Sequence, residues 1–324
     1  MAFYQGGTTL RADLRGVVEE AFLQGELYIG AKAMPPLPVP AKQGQYPVIQ
    51  KNGGNLLRDE TKRRAAGATY ARLQRAVTTD TYDCIEYGVE TIVDDGETEN
   101  FSRFFSLESM EIRRAYQQVQ LAHERRVASV LFAPATFNLT TASITYTTTN
   151  LATFDIGLDV DAAKQQIAQR GESVDNLTVV MSLNNFLRAR ASTKLQNRIR
   201  GTISTDAFLT LSVEAMAEAL QVKQILIGRA QYDTTPQGAA SSSLSAIWSD
   251  TYLWVGNVAN ATGPEQYFSG GAGYTLFWEQ DADIFQVESY REDQRRAEII
   301  RARQYCAEKI VLSSGAQLVV TGYS

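Results

Sequence analysis

The stretch from Ser106 to Phe132 constrains this chain more than any other, because it is the longest run of helical periodicity that contains neither glycine nor proline. Ile112, Ala115, Tyr116, Val119, Ala122, Val127 and Val130 recur at three- and four-residue steps and define a buried stripe. Arg113, Arg114, Gln117, Gln118, Gln120, Glu124 and Arg125 fall mostly on the other side. Ser106 is placed to cap the first free amides, Glu108 and Glu111 suit the positive helix end, and Pro134 stops the run. At 1.5 Å per residue such a helix is about 40 Å long. A rod of that length, dry on one side and wet on the other, is either a strut across a flat, extended subunit or one member of a bundle. Its flanks decide.

Ahead of it, Leu10, Leu14, Val17, Val18, Ala21 and Phe22 predict a short amphipathic helix from Thr9 to Gln24, ended by Gly25 and too short to stand alone. The stretch MPPLPVP, Met34 to Pro40, holds four of the chain's eight prolines and reads as an extended arm that needs a partner surface. From Gln43 to Asp95 the chain makes a long excursion. Tyr46 to Lys51 reads as a short β run, Asn52 to Asn55 as a turn, and Thr81 to Asp94 as a return strand. In that strand Ile85, Tyr87, Val89 and Val93 alternate with Glu86, Gly88, Glu90 and Asp94. The expectation is a two-stranded arm with an elaborated tip.

The charges of this excursion are segregated. Arg58, Lys62, Arg63, Arg64, Arg72 and Arg75 crowd the tip, whereas Asp80 to Glu99 carries eight acids and no lysine or arginine. Two solvated faces would account for that pattern. So would a basic tip that meets acids on another subunit, and an isolated two-stranded ribbon is only marginally stable in water, which favours a partner.

Behind the long helix, Asn138 to Phe154 reads as a strand or hairpin, and Asp159 to Arg170 as a helix capped by Asp159 or Asp161 with Ala162, Ala163, Ile167 and Ala168 inward. A buried strand from Leu177 to Ser182 runs into a helix through Asn185 to Ala191. Ser212 caps a further helix, and the strand Lys223 to Gly228 follows at once. Together they form a compact α/β unit. Ala246 to Val255 and Tyr274 to Glu279 read as aromatic core strands, since no basic residues interleave Trp248, Trp254 and Trp278 as a base-stacking platform requires. Ile284 to Tyr290 and Glu298 to Val320 read as β segments returning to the sheet that the long helix covers.

Composition limits the function classes. With 324 residues and 44% hydrophobic content the chain exceeds what one core normally serves. A formal net charge of -5 and a pI near 5.2 give no global basic footprint for nucleic acid. No window has the apolar length of a membrane span or the core of a signal peptide, so the chain is expected to fold in a cytoplasm. Cys84 and Cys306 are expected to be two reduced thiols.

Catalytic signals are scarce. His123 is the only histidine, and position 127, where a zinc-protease helix needs a second, holds Val127. His123 is therefore read as a satisfied helix-surface residue. No G-x-S-x-G elbow is present, Gly270 to Gly273 lacks the lysine and spacing of a phosphate loop, and Glu279, Asp281 and Asp283 lack the glycine of a calcium loop. No enzyme, no cofactor and no metal site are expected.

The order of parts resembles that of tailed-bacteriophage major capsid proteins of the Hong Kong 97-type fold, along nearly the whole length. The resemblance is carried by IGAKAMPPLPVP from Ile29, TYDCIEYGVETIVDD from Thr81, ALQVKQILIGRAQYD from Ala219 and IWSDTYLWVGNVA from Ile247. It implies an α+β fold with an N-terminal arm over 1–38, an extended loop over 39–95, and a peripheral domain over 96–154 and 284–324 with its spine helix at 106–132. An axial domain over 155–283 completes the division. It further implies a non-catalytic coat protein that self-assembles into pentamers and hexamers of an icosahedral shell around double-stranded DNA, in a virion put together in the host cytoplasm. Scaffolding, portal and decoration proteins would be its partners, and no membrane. An extended loop lying over the neighbouring subunit would bring Arg58, Arg63, Arg64, Arg72 and Arg75 near that subunit's Asp94, Asp95, Glu97 and Glu99.

Many relatives carry a long cleavable scaffolding segment; here about eight residues precede the first predicted helix. The mature chain is thus expected to keep its N-terminus and to use a separate scaffolding protein. Some relatives cross-link a loop lysine to a neighbour's asparagine. Lys42, Lys51 and Lys62 occupy the corresponding stretch, but no carboxylate base marks a dry site, so a non-covalent shell is expected. Two other readings share parts of the pattern: an encapsulin-type shell around protein cargo, and a soluble oligomeric α/β enzyme.

Overall fold

Two sheets are bridged by one long helix, and the chain visits both of them after leaving it. The computed structural model describes residues 9–10, 27–48, 59, 61, 63–64, 66–67, 69–70, 72, 78–101, 106–202, 212–236, 238, 241–259, 270–281 and 284–322. Strand β1 (Thr9–Leu10), helix α1 (Gly30–Ala33), β2 (Pro36–Val39), β3 (Gln43–Val48), β4 (Thr78–Asp83) and β5 (Ile85–Asp94) lead through α2 (Asp95–Phe101) into the long helix α3 (Leu107–Leu131). Then come β6 (Asn138–Thr141), α4 (Ile156–Gln169), β7 (Leu177–Ser182), α5 (Leu183–Ala191), α6 (Thr193–Thr202), α7 (Val213–Ala219) and β8 (Gln224–Gly228). The chain ends with β9 (Gln231–Asp233), β10 (Leu244–Ala246), β11 (Tyr252–Asn257), β12 (Gly273–Trp278), β13 (Gln286–Glu292), β14 (Ala297–Ile310) and β15 (Ala316–Val320).

Helix α3 starts where its sequence requires. The Ser106 hydroxyl accepts the Ser109 amide at 3.3 Å, and the first-turn Glu108 faces the positive end. Ile112, Ala115, Tyr116, Val119 and Val127 are buried as expected, while Ala122 and Val130 are half-buried. Gln120, His123 and Glu124 correct the sequence reading, for all three are buried although each was placed on the surface.

Strand β14 organises the six-stranded sheet. It carries β13 along residues 297–303 and β12 along 306–310, and β5 along 297–306. Cys306 pairs with both Phe277 and Ile85, so β5 and β12 lie on opposite sides of it. β1 adds to β13, and β2 runs parallel to β12 at the margin. The Thr275 amide donates to the Pro35 carbonyl at 3.1 Å. Alternation then turns Pro36 and Pro38, which have no N–H, toward the open side. The first half of α3 packs on this sheet through Leu107 and Ile112 against Val93 and Ile300, and through Ala115 and Val119 against Ala302.

The five-stranded sheet runs β6-β15-β11-β7-β8. One face carries Val160 and Ile167 of α4, Phe186 of α5, Ile199 of α6 and Met216 of α7 against Val179, Ile225 and Val255. The other face, with Val180, Leu226, Trp254 and Leu318, packs against Val127, Leu131 and Phe132 at the end of α3. Every residue of β7 is buried because helices cover both of its faces. Helix α3 is therefore a strut joining two sheets and not a bundle member.

Further differences from the sequence reading are local. Thr9 and Leu10 are strand, not helix; residues 11–26 lie outside the described residues. Helix α4 is capped by Asp155, whose carboxylate accepts the Gly157 and Leu158 amides, while Asp159 is buried and accepts from Tyr146 and Ser143. Ala168 is exposed rather than inward. The aromatic run 246–255 is broken, with Trp248 in the connection between β10 and β11. β14 does return to the sheet under α3, but β15 crosses to the five-stranded sheet. Helices α1, α2 and α6 were not anticipated.

Candidate assembly surfaces

The excursion is rooted in the body by aromatic side chains. β3 and β4 pair antiparallel from Gln43↔Asp83 to Val48↔Thr78, and Tyr46 and Tyr82 drop from this stem into a cluster with Leu37, Val39, Tyr274 and Leu276. The Tyr46 hydroxyl donates to Asp80 at 3.0 Å, and burial, together with that carboxylate, pushes the phenol well above its ordinary range. The Thr81 amide and the Tyr46 hydroxyl hold the Asp80 carboxyl below its ordinary value. Beside the stem, Lys42 Nζ lies 4.3 Å from the Trp278 ring centre and 4.0 Å from that of Tyr305, a cation held against two π faces. The return strand does not stay in the hairpin: after Cys84 it becomes β5 and joins the six-stranded sheet.

At the tip, every described residue from 59 to 72 is exposed. Arg63, Arg64 and Arg72 are among them, and Arg64 stacks 4.8 Å from Tyr70. Arg58 and Arg75 lie outside the described residues, as do Lys51 and Lys62. The four acidic candidates do come together, at the end of β5 and along α2, but two of them already have work within the subunit. Asp94 caps α2, accepting the Gly96 amide at 2.8 Å and the Glu97 amide at 3.4 Å. Asp95 receives both terminal nitrogens of Arg291, at 3.1 and 2.6 Å, and this bidentate contact holds its carboxyl below the usual value. Glu97 and Glu99 are exposed. No residue of α2 is buried.

The face of the six-stranded sheet opposite α3 is a lattice of matched charges. Arg301 meets Glu90 at 2.6 Å, Arg303 meets Glu288 at 2.6 Å and Gln286 at 2.9 Å, and the Tyr305 hydroxyl donates to Glu86 at 2.5 Å. These contacts tie β5, β14 and β13 together across the strands. They also neutralise the two arginines.

A Thr275–His123–Glu308 grouping has the composition of a nucleophile, base and acid, and its geometry rules that role out. His123 Nε2 is 3.2 Å from the Thr275 hydroxyl and 3.9 Å from Glu308, so one nitrogen faces both partners, whereas a relay needs one on each nitrogen. The Thr275 hydroxyl donates to the Met34 carbonyl, which leaves it to accept from the His123 Nε2 proton. His123 is 3% exposed and Thr275 0%, out of reach of any substrate. Burial pulls the His123 pKa down to about 4, against the opposing pull of Glu308. Burial likewise pushes the Cys84 thiol up to about 11 and Cys306 higher still, so both are inert, unpaired thiols. Among the described residues no cluster of histidine, cysteine and carboxylate could hold a metal ion, and no helix is long and apolar enough to cross a membrane.

Sequence reasoning missed Lys42, Tyr46 and Glu124 as structural anchors. A lysine directly after a proline-rich arm, and an acid between the apolar positions Val119 and Val127, were the available signals.

No family model and no curated protein matches the chain. Solved structures do. A phage-related protein from Bordetella bronchiseptica RB50 superposes with a TM-score of 0.71 at 19% identity, over 98% of both chains. The capsid of cyanophage P-SCSP1u gives 0.54 at 10% identity, over 99% of this chain and 90% of that one. A virus-like particle from Pyrococcus furiosus gives 0.55 at 8% identity, over 95% and 97%. The fold is thus α+β of the Hong Kong 97-type capsid class, as the sequence resemblance implied. Within that class the match to the Bordetella phage-related protein leaves almost no part of either chain unaccounted for.

Proposed function

We propose that this protein is the major coat protein of a tailed bacteriophage or prophage, a non-catalytic subunit that assembles with copies of itself into pentamers and hexamers of an icosahedral virion shell around double-stranded DNA. The observation that carries this reading is the superposition on a cyanophage capsid chain over 99% of this chain, together with that on a phage-related protein over 98%. The reading divides the chain into an arm (1–38), an extended loop (39–95), a peripheral domain (96–154 and 284–324) and an axial domain (155–283), with β15 passing from the third into the sheet of the fourth. Scaffolding, portal and decoration proteins are its proposed partners, and assembly takes place in the host cytoplasm. The likeness to the virus-like particle from Pyrococcus furiosus supports assembly into a particle, and a shell around protein cargo is the second reading. Nucleic acid in purified particles separates the two.

The basic tip is proposed to meet the acidic α2 of a neighbouring copy, through Arg58, Arg63, Arg64, Arg72 and Arg75 against Glu97 and Glu99, with Asp94 and Asp95 contributing field from their own intramolecular bonds. A single exposed pair contributes about 0.2–1 kcal/mol and weakens with salt, but repetition around a closed shell multiplies it. Electron microscopy of the expressed protein should show shells, and the double change Arg63→Glu with Arg64→Glu should abolish them without altering circular dichroism. Adding Glu97→Lys and Glu99→Lys should restore some. Normal shells from the arginine variant would mean that the tip is only a solvated face.

A further inference from the structure

Glu124 stands on α3 between Val119, which packs on the six-stranded sheet, and Val127, which packs on the five-stranded one. It is 1% exposed. Its Oε1 accepts from the Ile29 amide at 3.0 Å and from the Trp248 indole Nε1 at 2.6 Å, and its Oε2 accepts from the Gly30 amide at 2.6 Å. The donors come from two stretches far apart in sequence that share one buried cluster. Ile29 and Gly30 belong to the arm ahead of β2, and Trp248 to the connection that delivers β11 to the five-stranded sheet.

Each donor is itself fixed. A Cβ on Gly30 would stand 2.6 Å from Glu124 Oε2, so only glycine lets the arm approach this closely. Trp248 lies against the backbone of Gly228, where any Cβ would collide with the indole, and Phe132 meets it edge-on at 5.2 Å. Burial pushes the Glu124 carboxyl up and the three N–H donors oppose that push. The surrounding contacts among Leu131, Phe132, Trp254 and Leu318 are apolar. Apolar surfaces adhere without strong directional preference, whereas hydrogen bonds to a charged acceptor fix distance and angle.

We propose that Glu124 is the positioning residue that fixes the arm and the five-stranded sheet at a set angle to the long helix, and that this angle determines the curvature at which copies of the chain close. The inference rests on the shell-forming reading above. It assigns a role in particle size to one buried side chain that hydrogen-bonds from the long helix to the arm and to the connection into the five-stranded sheet at once.

Two variants test it. Glu124→Gln keeps the side-chain size but turns an acceptor into an NH2 that faces other donors. Trp248→Phe keeps an aromatic ring and removes the indole donor on the side of the five-stranded sheet. Unassembled subunits of both should retain wild-type circular dichroism. In Glu124→Gln the peptide containing Ile29 and Gly30 should exchange its amide hydrogens about tenfold faster, as loss of about one charge-assisted hydrogen bond implies. Electron micrographs of both should show closed particles whose diameters are shifted or spread relative to wild type. Folded variants that close shells of wild-type diameter, or none, overturn the proposal, as does unfolding of both, since Glu124 would then be needed for folding alone. Absence of shells from the wild type strikes down the shell reading itself and is recognised without either variant.

Discussion

Acid should destabilise the subunit through His123. The unfolded chain binds a proton at this ring with a pKa of 6.5, whereas burial against Phe285 and Thr275 holds the folded value at about 4. Between those values the unfolded state takes up a proton that the folded state refuses, so stability is complete above pH 6.5 and falls as the pH drops toward 4. At about 1.4 kcal/mol per pKa unit the loss is about 3 kcal/mol, a large share of the stability of an ordinary domain. Glu308, 3.9 Å away, favours the charged ring, but it is itself engaged by Arg126 at 3.0 Å and does not reverse the sign. Glu124 acts in the other direction, because a carboxyl raised by burial gains stability as the pH falls. The histidine contribution must therefore be isolated as a difference. Urea unfolding of unassembled wild type and His123→Gln at pH 7, 6, 5 and 4 does this, the amide being able to donate to Thr275 in place of the ring. The wild type should lose about 3 kcal/mol more than the variant over that range. Parallel curves for the two proteins would refute the assignment of a buried, neutral imidazole.

Two further outcomes follow from packing. Gly228→Ala drives a methyl group into the Trp248 indole and should cost about 1–3 kcal/mol in thermal unfolding, while an unchanged melting temperature would mean that the indole can step aside. Lys42→Ala removes the cation between Trp278 and Tyr305 and should weaken the hairpin root by about 0.5–1 kcal/mol, seen as faster proteolysis within residues 43–83, with Lys42→Arg close to wild type. Because Lys42 is held in this way, boiled particles should run as a single band near 35.8 kDa, and a ladder of multimers would point to cross-linking through another lysine.

What could be read from the sequence was what depends on near neighbours. Ser106 and Ser212 cap the helices at which they were placed, the latter accepting the Ala215 amide at 3.2 Å, because caps and periodicity are settled within a turn. β7 and β12 were legible because each holds a short run of apolar residues, Val179 to Met181 and Leu276 to Trp278. Glu124 and His123 were not, since their partners Ile29 and Thr275 are 95 and 152 positions away and only tertiary contact turns a polar helix residue into a core one. Trp248 was misplaced in a strand for a related reason: the Asp250 carbonyl is taken by Asn185 and Thr321, which holds a turn where β propensity alone extends the strand. Charge segregation of the excursion was visible in composition, but not that Arg291, 196 positions from Asp95, had claimed one of the acids.

The prolines of β2 have a consequence for crowding. If the chain assembles as proposed, subunits awaiting assembly are exposed to a competing condensed phase, in which sheet edges stack without limit into fibrils. Pro36 and Pro38 present carbonyls but no N–H on the open side of that margin, so the acceptors of an incoming strand find no donor at either position. The same residues that make the arm extended also close one route by which a concentrated pool of subunits could solidify before it encloses anything.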